Sequence, residues 1–185
     1  LLPWPADTTI TALRIVQVLP KTTWRESKPR IGYGFQKGAR VVLGTVPVEK
    51  DGSAYFRVPA GKPVYLQALD ARGLAVQSMR SDTYVHQGQT LLCQGCHDPR
   101  LKSPPRPGRV PLAFRRPPSD ILGDVDGSRP FNYVRLVQPV LDKHCVTCHQ
   151  KNPKAPDLRA GNVEKNPDHW ATSYVNLRPH AFFVD

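Results

Sequence analysis

Every cysteine in this 185-residue chain sits in one of two copies of a single five-residue pattern, Cys93-Gln-Gly-Cys96-His97 and Cys145-Val-Thr-Cys148-His149. No thiol is left over for a disulfide, so these two points must supply whatever covalent stapling the chain has. Two thiols separated by two residues lie on one helical turn and reach the two vinyl groups of one haem. The histidine that follows directs its imidazole at the iron from the same side. We therefore expect two haem c groups, with Cys93, Cys96, Cys145 and Cys148 as thioether residues. His97 and His149 are the expected proximal iron ligands. A zinc site made from two Cys-x-x-Cys pairs is one alternative. The 48 residues between Cys96 and Cys145 are many for a zinc ribbon, and zinc does not require a histidine after both pairs. Redox-active dithiols are a second alternative, and they too leave both histidines unexplained.

The opposite face of each iron decides between electron transfer and chemistry, because a second strong ligand closes the metal and a vacant position opens it. The candidate distal ligands are His86, His144, His169, His180 and the single methionine, Met79. His86 lies seven residues before Cys93 and folds back to the first iron or stands at the surface. Met79 ends a strand, where a methionine is more often a core residue. His144 adjoins Cys145 on the proximal side of its own haem, which suits it to a neighbouring one. His169 and His180 come after the second motif in the tail.

The formal charge is +11, and each bound haem would offset part of it with two propionates. The basic residues are scattered. The densest group, from Arg100 to Arg116, alternates with prolines instead of the aromatics that stack on bases, so we expect no nucleic acid. A solvated linker or a dock for an acidic electron carrier fits it better. No run of about 18 apolar residues is present, so no transmembrane segment is expected. The chain begins at Leu1 and carries no charged and apolar leader, which suggests a processed or excised part of a longer exported protein. A periplasmic or extracellular location is the expectation.

Residues 1–92 read as β. Short apolar or alternating runs occur at Ile10–Leu19, Ala39–Val48, Ala54–Val58, Val64–Leu69 and Leu74–Met79, separated by Gly- and Pro-containing turns. Five strands at this spacing suggest a small antiparallel β-sandwich, and the stretch from Glu49 to Pro63 looks like the hairpin of transthyretin-like or carboxypeptidase-regulatory-like domains. Residues 98–120 hold seven prolines, which predicts an extended linker draped over its neighbours. From Phe131 the period becomes helical. Val134, Val137 and Leu141 form a stripe with Val140 beside it, running into the second motif, and Pro139 should kink or restart the helix. The fold class is thus α+β: a β-sandwich over 1–92, the first haem motif and Pro-rich linker over 93–120, and a short helical cytochrome c-like haem region over 121–185.

Three stretches resemble the hydrazine synthase alpha subunit family. They are Ala39-Arg-Val-Val-Leu-Gly-Thr-Val-Pro-Val-Glu-Lys-Asp-Gly-Ser-Ala-Tyr-Phe56, Gln77-Ser-Met-Arg-Ser-Asp-Thr-Tyr84 with the Gly88 region leading to Cys93, and Tyr133 through His149. The resemblance covers roughly residues 35–150. It implies a β-propeller, which this sequence lacks, followed by a middle β-sandwich and a dihaem region. In hydrazine-forming members, the family implies a tyrosine ligand four residues after the first haem histidine, with that histidine on zinc. The equivalent position here is Leu101, which argues for ordinary His97 ligation. The family also implies a histidine on a later helix capping the second haem, beyond the end of this sequence.

The expected role is one-electron transfer as a subunit or fragment of a larger redox complex, with other redox subunits or an acidic carrier as partners. The rival is redox catalysis on a small nitrogen or oxygen species at an open haem. A third reading makes haem chiefly a structural staple.

Overall fold

The computed structural model describes residues 7–25, 28, 30–32, 38–93, 108–123, 129–161 and 170–180. The chain divides into two compact units, residues 1–21 with 38–130 and residues 22–37 with 131–185. The class is α+β: one small antiparallel sheet and a few short helices.

The first unit is built on four strands, β1 (Ala12–Val18), β2 (Arg40–Pro47), β3 (Val64–Leu69) and β4 (Ala75–Ser78). Their order across the sheet is β2-β1-β3-β4. Leu13 pairs with Val46 and Ala68, and Ile15 pairs with Gly44 and Leu66. Because opposed residues share a face, this register gathers Leu13, Ile15, Val46, Val64 and Leu66 on one side. Ile15, Val46 and Val64 are its buried centre. The register shifts between Ile15 and Val16, so β2 carries a bulge with Leu43 as the extra residue, which also packs on the core.

The expected five-stranded sandwich is corrected by this structure: among the described residues there is one sheet of four strands. Ala54–Val58 is not a strand. Phe56 makes one isolated parallel bridge to Ser119, and Phe56 and Val58 cover the core face of the sheet together with Ile121. The alternation of Ala54, Phe56 and Val58 therefore reports burial without a ladder. Its neighbour in space contains Pro117 and Pro118, which have no N–H to continue one.

That neighbour, residues 110–122, is a strap clasped to the turn after β2 and to residues 55–57. Asp51 Oδ2 accepts from Leu112 N at 2.7 Å, and Ser53 Oγ accepts from Ala113 N at 3.0 Å, both at the start of the 3-10 turn Leu112–Arg115. Arg116 pairs with Glu49 at 2.7 Å. Arg57 N donates to Ser119 O and Ser119 N to Tyr55 O. Thr45 and Leu122 exchange two backbone hydrogen bonds of 2.9 Å at the free edge of β2.

Asp51 gives this clasp a pH dependence. The Leu112 N–H and then the Ser53 hydroxyl stabilise its carboxylate and hold its pKa below the ordinary value of 3.8. A depressed folded-state pKa contributes stability that is present above the unfolded value and lost as pH falls through the folded one. Wild type should therefore be more stable than Asp51→Asn at pH 6, with the difference closing below about pH 4. Thermal midpoints of the two chains from pH 6 to pH 3 measure this; a gap independent of pH would refute it.

Candidate functional site

The second cysteine motif lies in the second unit, at the end of a broken helix. Asn132 caps α1 (Tyr133–Leu136), its side chain accepting from Arg135 N at 3.0 Å. Val137 ends α1 and opens α2 (Gln138–His144), with Pro139 in the first turn of α2. A first turn has N–H groups to spare, so the proline restarts the helix without cost to its hydrogen bonds. Cys145 is the hinge to α3 (Val146–His149), and α4 (Thr172–Leu177) comes later in the unit.

Hydrogen bonding runs through the motif. Cys145 N donates to Leu141 O at 2.8 Å and His149 N to Cys145 O at 3.0 Å. Residues at i, i+3 and i+4 of such a turn share a face, which puts Cys145, Cys148 and His149 on one side. Cys148 is exposed, and Cys145 and His149 are half-buried. Both thiols are free.

The imidazole of His149 is already oriented. Its Nδ1 lies 2.9 Å from the Pro156 carbonyl oxygen. A carbonyl only accepts, so Nδ1 carries the hydrogen, and Nε2 is the nitrogen that bears the lone pair whenever the ring is neutral. The loop bearing Pro156 turns back at Asn152, which accepts Ala155 N on its carbonyl and Lys154 N on its side chain, both at 3.0 Å. Leu158 then buries to 3% exposure. Between them, Asp157 is locked to Arg159 through side-chain hydrogen bonds of 2.7, 2.9 and 3.1 Å. Those hydrogen bonds bring its pKa down to about 2, so the carboxylate remains charged beside the loop.

Of the expected stripe on α1 and α2, Val137 and Leu141 are half-buried. Val134 and Val140 are 56% and 55% exposed, and the buried residue of α2 is Gln138, at 3%. Sequence reasoning passes over Gln138, Ser173, Asn176 and the Pro156 carbonyl. For Gln138 a signal exists: it stands seven residues, two helical turns, before Cys145.

The first motif is reached only at its first residue. Cys93 is exposed, next to the exposed Leu91 and Leu92. Cys96 and His97 lie outside the described residues, as do His169 and Leu101. Among the candidate distal ligands, His86 is an exposed residue at the start of a turn closed by Gln89 N on its carbonyl, with its ring edge-on to Tyr84 at 5.2 Å. Met79 Sδ accepts from Leu66 N at 3.3 Å beside β3. His144 is exposed at the end of α2, and His180 is exposed in the 3-10 turn Arg178–His180. Among the described residues, no group of three or more His, Cys, Asp or Glu side chains gathers tightly enough to hold a metal ion. Among them, too, no helix is long and apolar enough to cross a membrane.

Residues 8–98 match the family model of the hydrazine synthase alpha subunit middle domain. The chain is hydrazine synthase alpha-like. A curated relative, hydrazine synthase subunit alpha of Kuenenia stuttgartiensis, is 25% identical over 190 aligned positions, covering 73% of this chain and 22% of the relative. The hydrazine synthase alpha-like chain therefore spans about a fifth of that relative's length. The solved structure of Kuenenia stuttgartiensis hydrazine synthase superposes on 91% of this chain and 29% of its own chain, with a TM-score of 0.66 and 20% identity. At that identity the likeness is one of fold.

Proposed function

We propose that this hydrazine synthase alpha-like chain is a dihaem c-type cytochrome module that passes single electrons within a larger redox complex, in the periplasm or outside the cell. The observation that carries this reading is the 2.9 Å hydrogen bond from His149 Nδ1 to Pro156 O, on the turn that also presents Cys145 and Cys148. This donor set fits a c-type haem. Metal-ligating histidines ordinarily donate their second ring N–H to a carbonyl or carboxylate, which sets tautomer and ring orientation. Cys145 and Cys148 would hold the porphyrin edge as thioethers, leaving His149 Nε2 for the iron. Cys93, Cys96 and His97 would do the same at the first motif, where the Pro-rich stretch 93–120 begins. The helical haem region would occupy 121–185. Bound haem would supply a one-electron couple at each motif. Distal ligands would come from His86, His144, His169, His180 or Met79, or from another segment or chain. Other redox subunits or an acidic electron carrier would be the partners, given the charge of +11.

The test is expression of the chain in a periplasm equipped for haem attachment, followed by intact mass and optical and electron-paramagnetic spectra. We expect a mass increase of two haems and two low-spin signals that carbon monoxide and nitric oxide leave unchanged. A mass equal to the bare polypeptide, or a colourless protein with stoichiometric zinc, would overturn the proposal. A high-spin signal that shifts with carbon monoxide would transfer it to the catalytic alternative, redox chemistry on a small nitrogen or oxygen species.

A further inference from the structure

Three consecutive carbonyls of the returning loop are each taken by a side-chain N–H from a different helix. Pro156 O accepts from His149 of α3 at 2.9 Å, Asp157 O from Asn176 Nδ2 of α4 at 2.8 Å, and Leu158 O from Gln138 Nε2 of α2 at 3.0 Å. Successive peptide planes are rigid and share their Cα atoms, so the direction of the first carbonyl depends on what holds the next two. We infer that Gln138 and Asn176 are positioning residues for His149. This inference rests on the haem reading above.

The arrangement around Gln138 has a single consistent direction. Its Nε2 also donates to Asp142 Oδ1 at 2.7 Å. A carboxylate and a carbonyl both only accept, so the amide cannot be flipped. Its Oε1 accepts from Ser173 Oγ at 2.5 Å, and Ser173 is fully buried. That contact uses the one hydroxyl hydrogen of Ser173, so the Tyr133 hydroxyl donates to Ser173 Oγ, at 3.2 Å. The chain therefore runs Tyr133 to Ser173 to Gln138 and ends on Leu158 O and Asp142. It links α1, α4, α2 and the loop. A buried glutamine whose donors and acceptor are all engaged is costly to disturb, which makes it a stable reference for the loop. The side chain of Leu158, buried next to the carbonyl it presents, anchors the same point.

The consequence falls on the iron ligand. Donation from Nδ1 to a carbonyl leaves Nε2 more basic. A more basic ligand favours the oxidised metal, so loosening the carbonyl should raise the reduction midpoint of the haem at Cys145 and Cys148. The test uses the holoprotein and three variants, Gln138→Met, Asn176→Ala and Tyr133→Phe. Redox titration gives both midpoints, and nitrogen NMR on histidine-labelled protein gives the His149 Nδ1 state. We expect Gln138→Met and Asn176→Ala to raise one midpoint, by about tenfold in the one-electron equilibrium, or about 59 mV, and to leave the other unchanged. The Tyr133→Phe variant loses only the far end of the chain, so it should lower stability and leave both midpoints in place.

Unchanged midpoints and an unchanged His149 signal in both loop-contacting variants would overturn the inference. So would a Tyr133→Phe shift as large as theirs, since that would mark a general loss of packing. If Gln138→Met does not fold, the half-buried Asn176 variant decides alone. A preparation without haem at the second motif sinks the proposed function instead. The same NMR comparison on the haem-free chain then decides the positioning role: retention of Nδ1–H in wild type and its loss in the variants supports it, and no difference refutes it.

Discussion

Gly44→Ala is expected to destabilise the sheet unit by about 3 kcal/mol, the largest single-residue effect outside the two cysteine motifs. Gly44 has φ +139°, a backbone conformation that side-chain-bearing residues adopt only under strain, at a cost of roughly 1–3 kcal/mol. An added Cβ would lie 2.0 Å from Leu122 O and 2.7 Å from Ile121 Cγ2. The first of these is backbone, so the strap would have to move. Movement breaks the two Thr45–Leu122 hydrogen bonds, worth roughly 1 kcal/mol each, and draws Ile121 off the core it covers. Gly52→Ala is the matched control, because Gly52 also has positive φ, +81°, but open space around its Cβ. Urea midpoints of the full chain should fall much further for Gly44→Ala than for Gly52→Ala. Equal shifts would mean that the strap does not bear on the sheet.

The second large effect is on cofactor content. On the dihaem reading proposed above, replacing both Cys145 and Cys148 by alanine should remove one of two covalent haems and leave the other, since each motif carries its own two thiols and histidine. Intact mass should fall by one haem, and haem absorbance to about half. Order in the second unit should fall with it. Its described core is small, with Leu158 and Ala171 as buried apolar residues and Gln138 and Ser173 as buried polar ones, and ligation coupled to folding would account for the rest. Hydrogen exchange over residues 133–149 should therefore accelerate in the double variant and stay unchanged over β1 to β3. Retention of both haems would show that attachment does not use these thiols.

Much of the sheet is legible in the residues themselves. Ile10–Leu19, Ala39–Val48, Val64–Leu69 and Leu74–Met79 all contain the observed strands, trimmed by up to two residues at an end, because glycine and proline turns bound them sharply. Ala54–Val58 misleads for a physical reason: alternation reports which side chains are buried, and a loop can bury Phe56 and Val58 as well as a strand can. The restart at Pro139 is legible because a missing N–H is tolerated only in a first turn. The burial of Gln138 in place of Val134 and Val140 is not, because a helix presents several faces and its neighbours choose which one is covered.

The spacing of Cys145, Cys148 and His149 is local information, complete within one turn, and the residues alone determine which thiols and which imidazole share a face. The orientation of that imidazole is not local. It depends on the carbonyl of Pro156, an atom every residue possesses, brought to His149 by a loop whose next two carbonyls are held by Asn176 and Gln138. Side-chain identity is written in the chain, but the direction of a backbone carbonyl exists only once distant segments have packed.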